Sequence, residues 1–368
     1  MSIPRFPSTT RILVRLVPLL LAAAPAAAQR NQAGVDTLVT PARPGSPACL
    51  PGDTVRPART EGARSRTRVV LLGTGHPIPE PDRSGPAVAI VVDANVYLVD
   101  AGVGLVRQAS AAAAAGQPAL SAPALQKVFV THLHSDHTMG MPDVMFTPWI
   151  VGRRQPLQAW GPAGTRAMAE RLMLAWEEDL EVRLHAESAG EGGADGLGME
   201  VCEIPEAVSS AVVFRDRLVT VTAFAVEHGS WNQADPVTRN RAFAYRFDTP
   251  DLSVVVSGDT GPAPEAFARA CGGCDVLVHE VYAMKNRAPL PQDRKDYDAA
   301  YHTSTLELAR SVAPAADPGL LVLYHVGVMP GVADADVLRE MAGYRGRVCL
   351  GRDLDVYARG ALSPCPAR

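Results

Sequence analysis

The sequence predicts an α/β layered fold. Short runs rich in Val, Ile and Leu, such as "RVVLLGTG" from Arg68, alternate with stretches of helical periodicity, such as "AGTRAMAERLMLAWEEDL" from Ala163. No short repeat is visible. Histidines and aspartates collect at the ends of the apolar runs. With 368 residues, 47% of them hydrophobic and 20% charged, the chain has the composition of one large globular domain or two small ones.

The first element is not part of that fold. Arg5, Arg11 and Arg15 precede "LVPLLLAAAPAAAQR", and no acidic residue occurs before Asp36. A basic start, a short apolar core and the Ala26-Ala27-Ala28 ending describe a signal peptide over residues 1–28, cleaved after Ala28. The apolar run is short for a membrane span and is broken by Pro18 and Pro25. No cysteine stands at the boundary to suggest a lipoprotein, and no later run resembles a membrane helix. The expected location is periplasmic or secreted, with no membrane span after cleavage. Loss of three arginines takes the formal charge from −4 to −7. Only Lys127, Lys285 and Lys295 are lysines, and Arg153-Arg154 is the one tight basic pair near the histidine cluster. An acidic, lysine-poor surface argues against a nucleic-acid partner, whose affinity rests on neutralised phosphates.

Residues 29–66 are rich in Pro, Gly, Arg and Thr and read as a linker or irregular strap, tied down through Cys49. The ordered domain spans 67–368. A buried strand starts at Thr67. "AVAIVVDANVYLVDAG" gives two strands joined at Asp93–Asn95. "KVFVT", Lys127–Thr131, is a short strand. The helix that follows Ala163 aligns Met168, Leu172 and Ala175 on one face, and Ala189–Gly198 is a flexible glycine loop. "RLVTVTAFAVEHG", "RAFAYRFDT", "LSVVVSGD", "VLVHE" and "LLVLYH" complete the strands. Six cysteines suit an oxidising compartment. "CGGC" at Cys271–Cys274 reads as a local disulfide or as two free thiols, and the other pairings stay open.

The stretch "VTHLHSDHTMG" packs His132, His134, Asp136 and His137 into six positions after a strand. Alternation puts His132 and His134 on one side, and a turn into a helix can return Asp136 and His137 to it. Imidazole and carboxylate ligands suit zinc and related divalent ions. Four such groups are awkward for one ion, and two ions a few Å apart suit them better. His228, Asp259 and His325 each follow an apolar strand and supply the missing ligands, with Asp259 placed to bridge.

These pieces resemble the metallo-β-lactamase superfamily, in its branch of ribonuclease Z, phosphodiesterases and arylsulfatase-like enzymes. "LLGTGHPIPEPDRSGPA", "THLHSDHTMG", "VEHG", "SGDT", "VHEVY", "HTST" and "YHVG" run in family order from Thr67 to about Tyr357. The resemblance implies an αββα sandwich of two mixed β-sheets with helices on the outer faces, so that 67–368 is a hydrolase domain. It implies two zinc ions per chain, with Mn2+ or Fe2+ as alternatives. His132, His134 and His228 would hold one ion, Asp136, His137 and His325 the other, and Asp259 both, with a bridging hydroxide as nucleophile. Flavodiiron relatives carry Glu where this chain has His134, which favours hydrolysis over redox chemistry. Asp136, His302 and Glu280 are implied as catalytic. A His–Glu pair is suited to protonating a departing alkoxide. His302 could instead cap the next helix, a role Thr303 or Ser304 can fill. His279 and Asp100 are expected to support the site, and His76 and His185 to lie in surface loops.

Ribonuclease Z grips transfer RNA with a Gly-rich basic arm, whereas Trp160–Val219 here carries Glu187, Glu191 and Asp195 and lacks such an arm. The leading expectation is therefore an exported hydrolase of small phosphodiesters or aryl sulfate esters, possible as a homodimer. Lactone or β-lactam hydrolysis, a ribonuclease Z-type endonuclease, and a non-catalytic zinc-binding protein are the alternatives.

Overall fold

The computed structural model describes residues 39–41, 66–185, 192–229 and 241–360. The expected signal peptide lies outside these residues. So does the expected linker, apart from 39–41 and Arg66.

The strands in chain order are β1 (Val39–Pro41), β2 (Thr67–Gly73), β3 (Ala87–Val92), β4 (Asn95–Val99), β5 (Lys127–Phe129), β6 (Leu157–Gly161), β7 (Met199–Glu203), β8 (Ser210–Arg215), β9 (Thr220–Glu227), β10 (Arg241–Asp248), β11 (Ser253–Val256), β12 (Val276–Tyr282), β13 (Leu320–Gly327), β14 (Val348–Leu350) and β15 (Val356–Ala358). They form an eight-stranded sheet, β1-β7-β6-β5-β4-β3-β2-β15, and a seven-stranded sheet, β14-β13-β12-β11-β10-β9-β8. Each is mixed. Strands β4 to β7 with β1, and β11 to β14, run parallel to their neighbours, and the hairpin-connected strands antiparallel.

Strand periodicity explains the layering. In β3 all six residues are buried, because each face meets a different core. Val88, Ile90 and Val92 enter the core between the sheets, with Phe129, Phe243, Tyr245 and Phe247. Ala87, Ala89 and Val91 face the helices Leu105–Ala114 and Met141–Ile150. A third core packs Val255, Leu277 and Leu321 under Phe267, Leu308 and Val337. The result is the expected αββα sandwich.

Three local readings are corrected. The helical stretch after Ala163 is two helices, Thr165–Ala175 and Glu177–His185. The first buries Thr165, Ala169 and Met173; of the expected face, Met168 and Leu172 are partly buried against the same core and Ala175 is exposed. The described part of the glycine segment is packed: Trp149 Nε1 donates to the Gly193 carbonyl at 2.8 Å, and a Cβ on Gly196 would stand 2.0 Å from the Arg153 carbonyl oxygen. Gly192 and Gly196 permit close backbone approach there. His185 is on a helix, and His76 is half-buried beside Glu80, at 3.0 Å. Cys271 and Cys274 form a disulfide, and Cys202 and Cys349 are disulfide-bonded as well.

Candidate metal centre

The parallel strands β5, β11, β12 and β13 end at a common edge of the sandwich, and the ligand-type residues follow from those ends. His132 stands three residues past β5, and Asp136 and His137 lie on the short helix Ser135–Thr138. His228 directly follows β9, and Asp259 stands three residues beyond β11. His325 lies within β13 at a register shift: Glu280 pairs with Tyr324 but Val281 pairs with Val326, so His325 is the extra residue of a bulge. Its φ of 46° is left-handed. A bulge of this kind re-aims a side chain, here into the cluster.

All seven expected ligands come together. His132, His134, His228 and Asp259 form one group, and Asp136, His137, Asp259 and His325 a second, each with ligand atoms within 4.8 Å of one another. Asp259 is common to both. Its Oδ2 lies 3.8 Å from His132 Nε2 and 3.9 Å from His228 Nε2, while its Oδ1 lies 3.2 Å from His137 Nε2 and 3.5 Å from His325 Nε2. His325 Nε2 is 3.1 Å from Asp136 Oδ2. His134 Nδ1 is 3.0 Å from His228 Nε2.

The residues behind the cluster set its tautomers. Asp100 accepts from the Thr131 amide at 2.7 Å, from Thr131 Oγ1 at 2.9 Å and from His137 Nδ1 at 2.8 Å. With its proton given to Asp100, Thr131 Oγ1 accepts from His132 Nδ1 at 3.0 Å. His228 Nδ1 donates to the Tyr301 carbonyl at 2.6 Å. Each bond fixes the proton on Nδ1 and leaves the Nε2 lone pair facing the cluster, as for metal-binding imidazoles.

The residues fit divalent ions. His132 Nε2, His137 Nε2 and Asp259 Oδ1 are buried without a hydrogen bond, although the last two are only 3.2 Å apart. Convergent buried polar atoms left unsatisfied are costly unless a cation completes them. The charge states agree. Burial, reinforced by the neighbouring His137, presses His132 well below the usual histidine range, and burial takes His228 down to about 3. Both imidazoles are therefore neutral, the state in which a metal ion would be bound. For His137, burial is outweighed by Asp259 and Asp100, which raise it well above the ordinary value. A proton there occupies the place a dication can fill.

Beside the ligands, His302 Nδ1 stands 3.4 Å from Glu280 Oε2 and 3.7 Å from Asp259 Oδ2. Burial lowers the imidazole, but Glu280 and then Asp259 outweigh it, raising His302 to about 9. Glu280 is held by the Thr303 amide, which donates to Oε1 at 2.8 Å. The next helix is capped by Ser304, whose side chain accepts from the Glu307 amide in a capping box. His302 therefore does not cap that helix; its amide closes the preceding one, donating to the Asp298 carbonyl at 2.9 Å, and its side chain is left for the site. His279 points away from the cluster, because alternation along β12 turns it into the helix-side core against Phe267, 4.7 Å between ring centroids. The supporting roles of Thr131 and the Tyr301 carbonyl were not foreseen from the sequence.

A model of the beta-lactamase superfamily domain matches residues 95–326. Ribonuclease Z of Mycobacterium bovis is 33% identical over 291 residues, 78% of this chain and 96% of the relative. Ribonuclease Z of Mycobacterium marinum is 33% identical over 299 residues, 79% and 99% of the two chains. Among solved structures, the short form of human tRNase Z matches with a TM-score of 0.57 at 23% identity, over 79% of this chain and 98% of the other. The metallo-beta-lactamase fold protein YhfI from Bacillus subtilis gives 0.54 at 18%, over 79% and 99%. At those identities the solved structures speak for the fold alone. The ribonuclease relatives run against the expectation that nucleic acid is no partner.

Proposed function

Because the chain belongs to the beta-lactamase superfamily, and within it to the family of the ribonuclease Z proteins, we propose that it is a metal-dependent phosphodiester hydrolase with RNA as its leading substrate class. The single observation that carries the chemistry is the shared Asp259 carboxylate, with one oxygen toward each of two ligand groups. Two zinc ions held there would polarise the phosphoryl group and activate water at neutral pH. Around them, Asp100, Thr131 and the Tyr301 carbonyl hold three ligand imidazoles in the required tautomers. His302 is protonated at neutral pH and donates a proton to the departing oxygen, while Glu280 keeps it charged and oriented.

RNA is preferred because the relatives that share a third of their residues with this chain are ribonucleases. Small phosphodiesters or aryl sulfate esters on an exported enzyme are the second reading, favoured by the acidic balance of the chain and by its scarcity of lysine. A panel of a structured RNA with a 3′ extension, a bis-aryl phosphate, an aryl sulfate, a lactone and a cephalosporin, run on zinc-loaded protein, tests the proposal. Cleavage of the RNA at a defined position supports the first reading. Turnover of the small esters alone supports the second, and turnover of only the lactone or cephalosporin overturns both. The mature N-terminus, expected at Gln29, and the compartment in which the protein is recovered decide whether export is correct.

A further inference from the structure

Beside the ligand cluster runs a ladder of planar side chains that the hydrolytic chemistry does not use. It lies on the helix Gln292–Tyr301, which leads directly to His302. Tyr297 and Tyr301, four residues apart, share one helix face and stack with centroids 4.3 Å apart and planes 17° apart. The inner ring, Tyr301, is nearly parallel to His134, at 6.2 Å and 19°, and lies 5.1 Å from His228. The outer ring, Tyr297, lies 6.5 Å from His302. The Arg294 guanidinium sits 5.1 Å from the Tyr297 centroid and pairs with Asp298 at 3.1 Å, its side chain 56% exposed.

The inner ring is seated with care. A Cβ on Gly229 would fall 2.0 Å from Tyr301 Cζ, and φ at Gly229 is 64°. Only a glycine next to His228 lets the ring close against the backbone at that point. Neither tyrosine belongs to a continuous core, and both are half-exposed. A pair of large stacked aromatic rings, partly exposed among the described residues and one step from a proton donor, has the form of a stacking platform. Among the described residues, the outer ring carries the Arg294 guanidinium, whose side chain is more than half exposed; Asp298, its buried partner, is also paired with Arg287 and so keeps a cation when Arg294 swings away.

Resting on the reading of this site as a phosphodiesterase, we propose that Tyr297, backed by Tyr301, is a stacking subsite for the nucleobase of the leaving fragment. A base on the alcohol side of the scissile bond, whose oxygen takes its proton at His302, would replace Arg294 over the Tyr297 ring. The arginine then meets the base edge or the adjacent phosphate. Base-on-aromatic stacking tolerates any base, so this subsite selects nucleotides over alkyl diesters without reading sequence. Tyr297 acts on binding and orientation, not on the proton or the ligand cluster.

The test compares two dinucleotides that differ only on the leaving side, one with a base and one with an abasic sugar, whose leaving oxygens are closely matched. Phosphorothioate forms, which resist cleavage, are titrated calorimetrically into the zinc-loaded full chain. The base-bearing ligand should bind roughly tenfold or more tightly, and Tyr297→Ala should erase that advantage while leaving the abasic ligand unchanged. Tyr297→Trp should restore it, which separates stacking from a general loss of structure. In turnover of the oxygen diesters, Tyr297→Ala should raise KM for the base-bearing substrate with kcat nearly constant. Equal binding of the two ligands by the wild type, or an equal loss for both in Tyr297→Ala, overturns the subsite. Base-dependent binding without cleavage of either oxygen diester leaves the subsite standing and overturns the phosphodiesterase reading instead.

Discussion

The two halves of the ligand cluster share Asp259 but are built differently. The group of His132, His134 and His228 is three imidazoles supported by neutral atoms, namely the Thr131 hydroxyl and the Tyr301 carbonyl. The group of Asp136, His137 and His325 includes a carboxylate of its own and is supported by another, Asp100, bonded directly to His137. The only ligand with a left-handed backbone, His325, also belongs to this second group. Asp100 reaches the first group only at one remove, through Thr131. More negative charge on one side means a stronger pull on a dication there. The two positions are therefore expected to load in order, the Asp136 side first.

The largest effect should come from erasing what the halves share. Asp259→Ala should lower occupancy at both positions and reduce turnover by roughly a hundredfold or more, as loss of a bridging ligand in a two-metal site implies. Metal content by mass spectrometry together with steady-state rates checks this. One tightly held ion in the fully active wild type would break the two-position comparison outright.

His302→Ala should leave both positions filled, because His302 belongs to neither group. Turnover should nevertheless fall by roughly a hundredfold on esters with poor leaving groups, and far less on nitrophenyl esters. The pH profile carries the sign. His302, raised to about 9, is the protonated donor below that value and loses the proton above it. Bound dications repel the imidazolium, so the alkaline limb should fall below pH 9. That limb should vanish in His302→Ala and should be absent for nitrophenyl leaving groups in the wild type. Loss of zinc in the variant would place His302 among the ligands.

Asp100→Asn sharpens the comparison. Asn tolerates the left-handed φ of 62° at this position, so the backbone is preserved. Zinc affinity on the Asp136 side should drop by about 10- to 100-fold, with a smaller loss on the His132 side. Stepwise calorimetric titration resolves the two, and an equal loss on both sides would mean that Thr131 transmits as much as direct contact. The smallest effect is expected at His185, which is exposed and, among the described residues, hydrogen-bonds to the Glu181 carbonyl of its own helix: His185→Ala should change stability by no more than about 0.5 kcal/mol and activity not at all, by thermal melts and rates.

How much of this was legible in the sequence depended on whether the information was local. The period-2 strands and the hairpin at Asp93 could be read, because alternation is a property of a few consecutive residues. Strands β1, β6, β7, β8, β14 and β15 could not: three of them are three residues long, and β6 to β8, five or six residues each, do not stand apart from the polar and glycine-rich sequence around them. The helix face after Ala163 was legible at Met168 and Leu172, which pack against the core, but not at Ala175, which is apolar yet exposed. In the site, each His or Asp stood out against an apolar strand. The bulge at His325 did not, because it exists only relative to the register of β12. The Tyr301 carbonyl carries no residue-type signal at all. The tyrosines four apart in "DYDAAYH", which ends at His302, form an i, i+4 pair, but that spacing alone does not distinguish a stacked pair at a site from two surface rings.

The cluster draws on both sheets: His132, His134, Asp136 and His137 follow β5 of one, whereas His228, Asp259 and His325 come from the other. Neither half of the chain can assemble it alone. Closing the sandwich requires contacts between residues far apart in the chain, 189 positions in the case of Asp136 and His325, and such long-range contacts are slow to form. Ions bound there would act as rivets between the two sheets. Their removal should therefore be felt as looser docking of the sheets, seen as faster amide exchange along the β5–β11 edge, before any strand is lost.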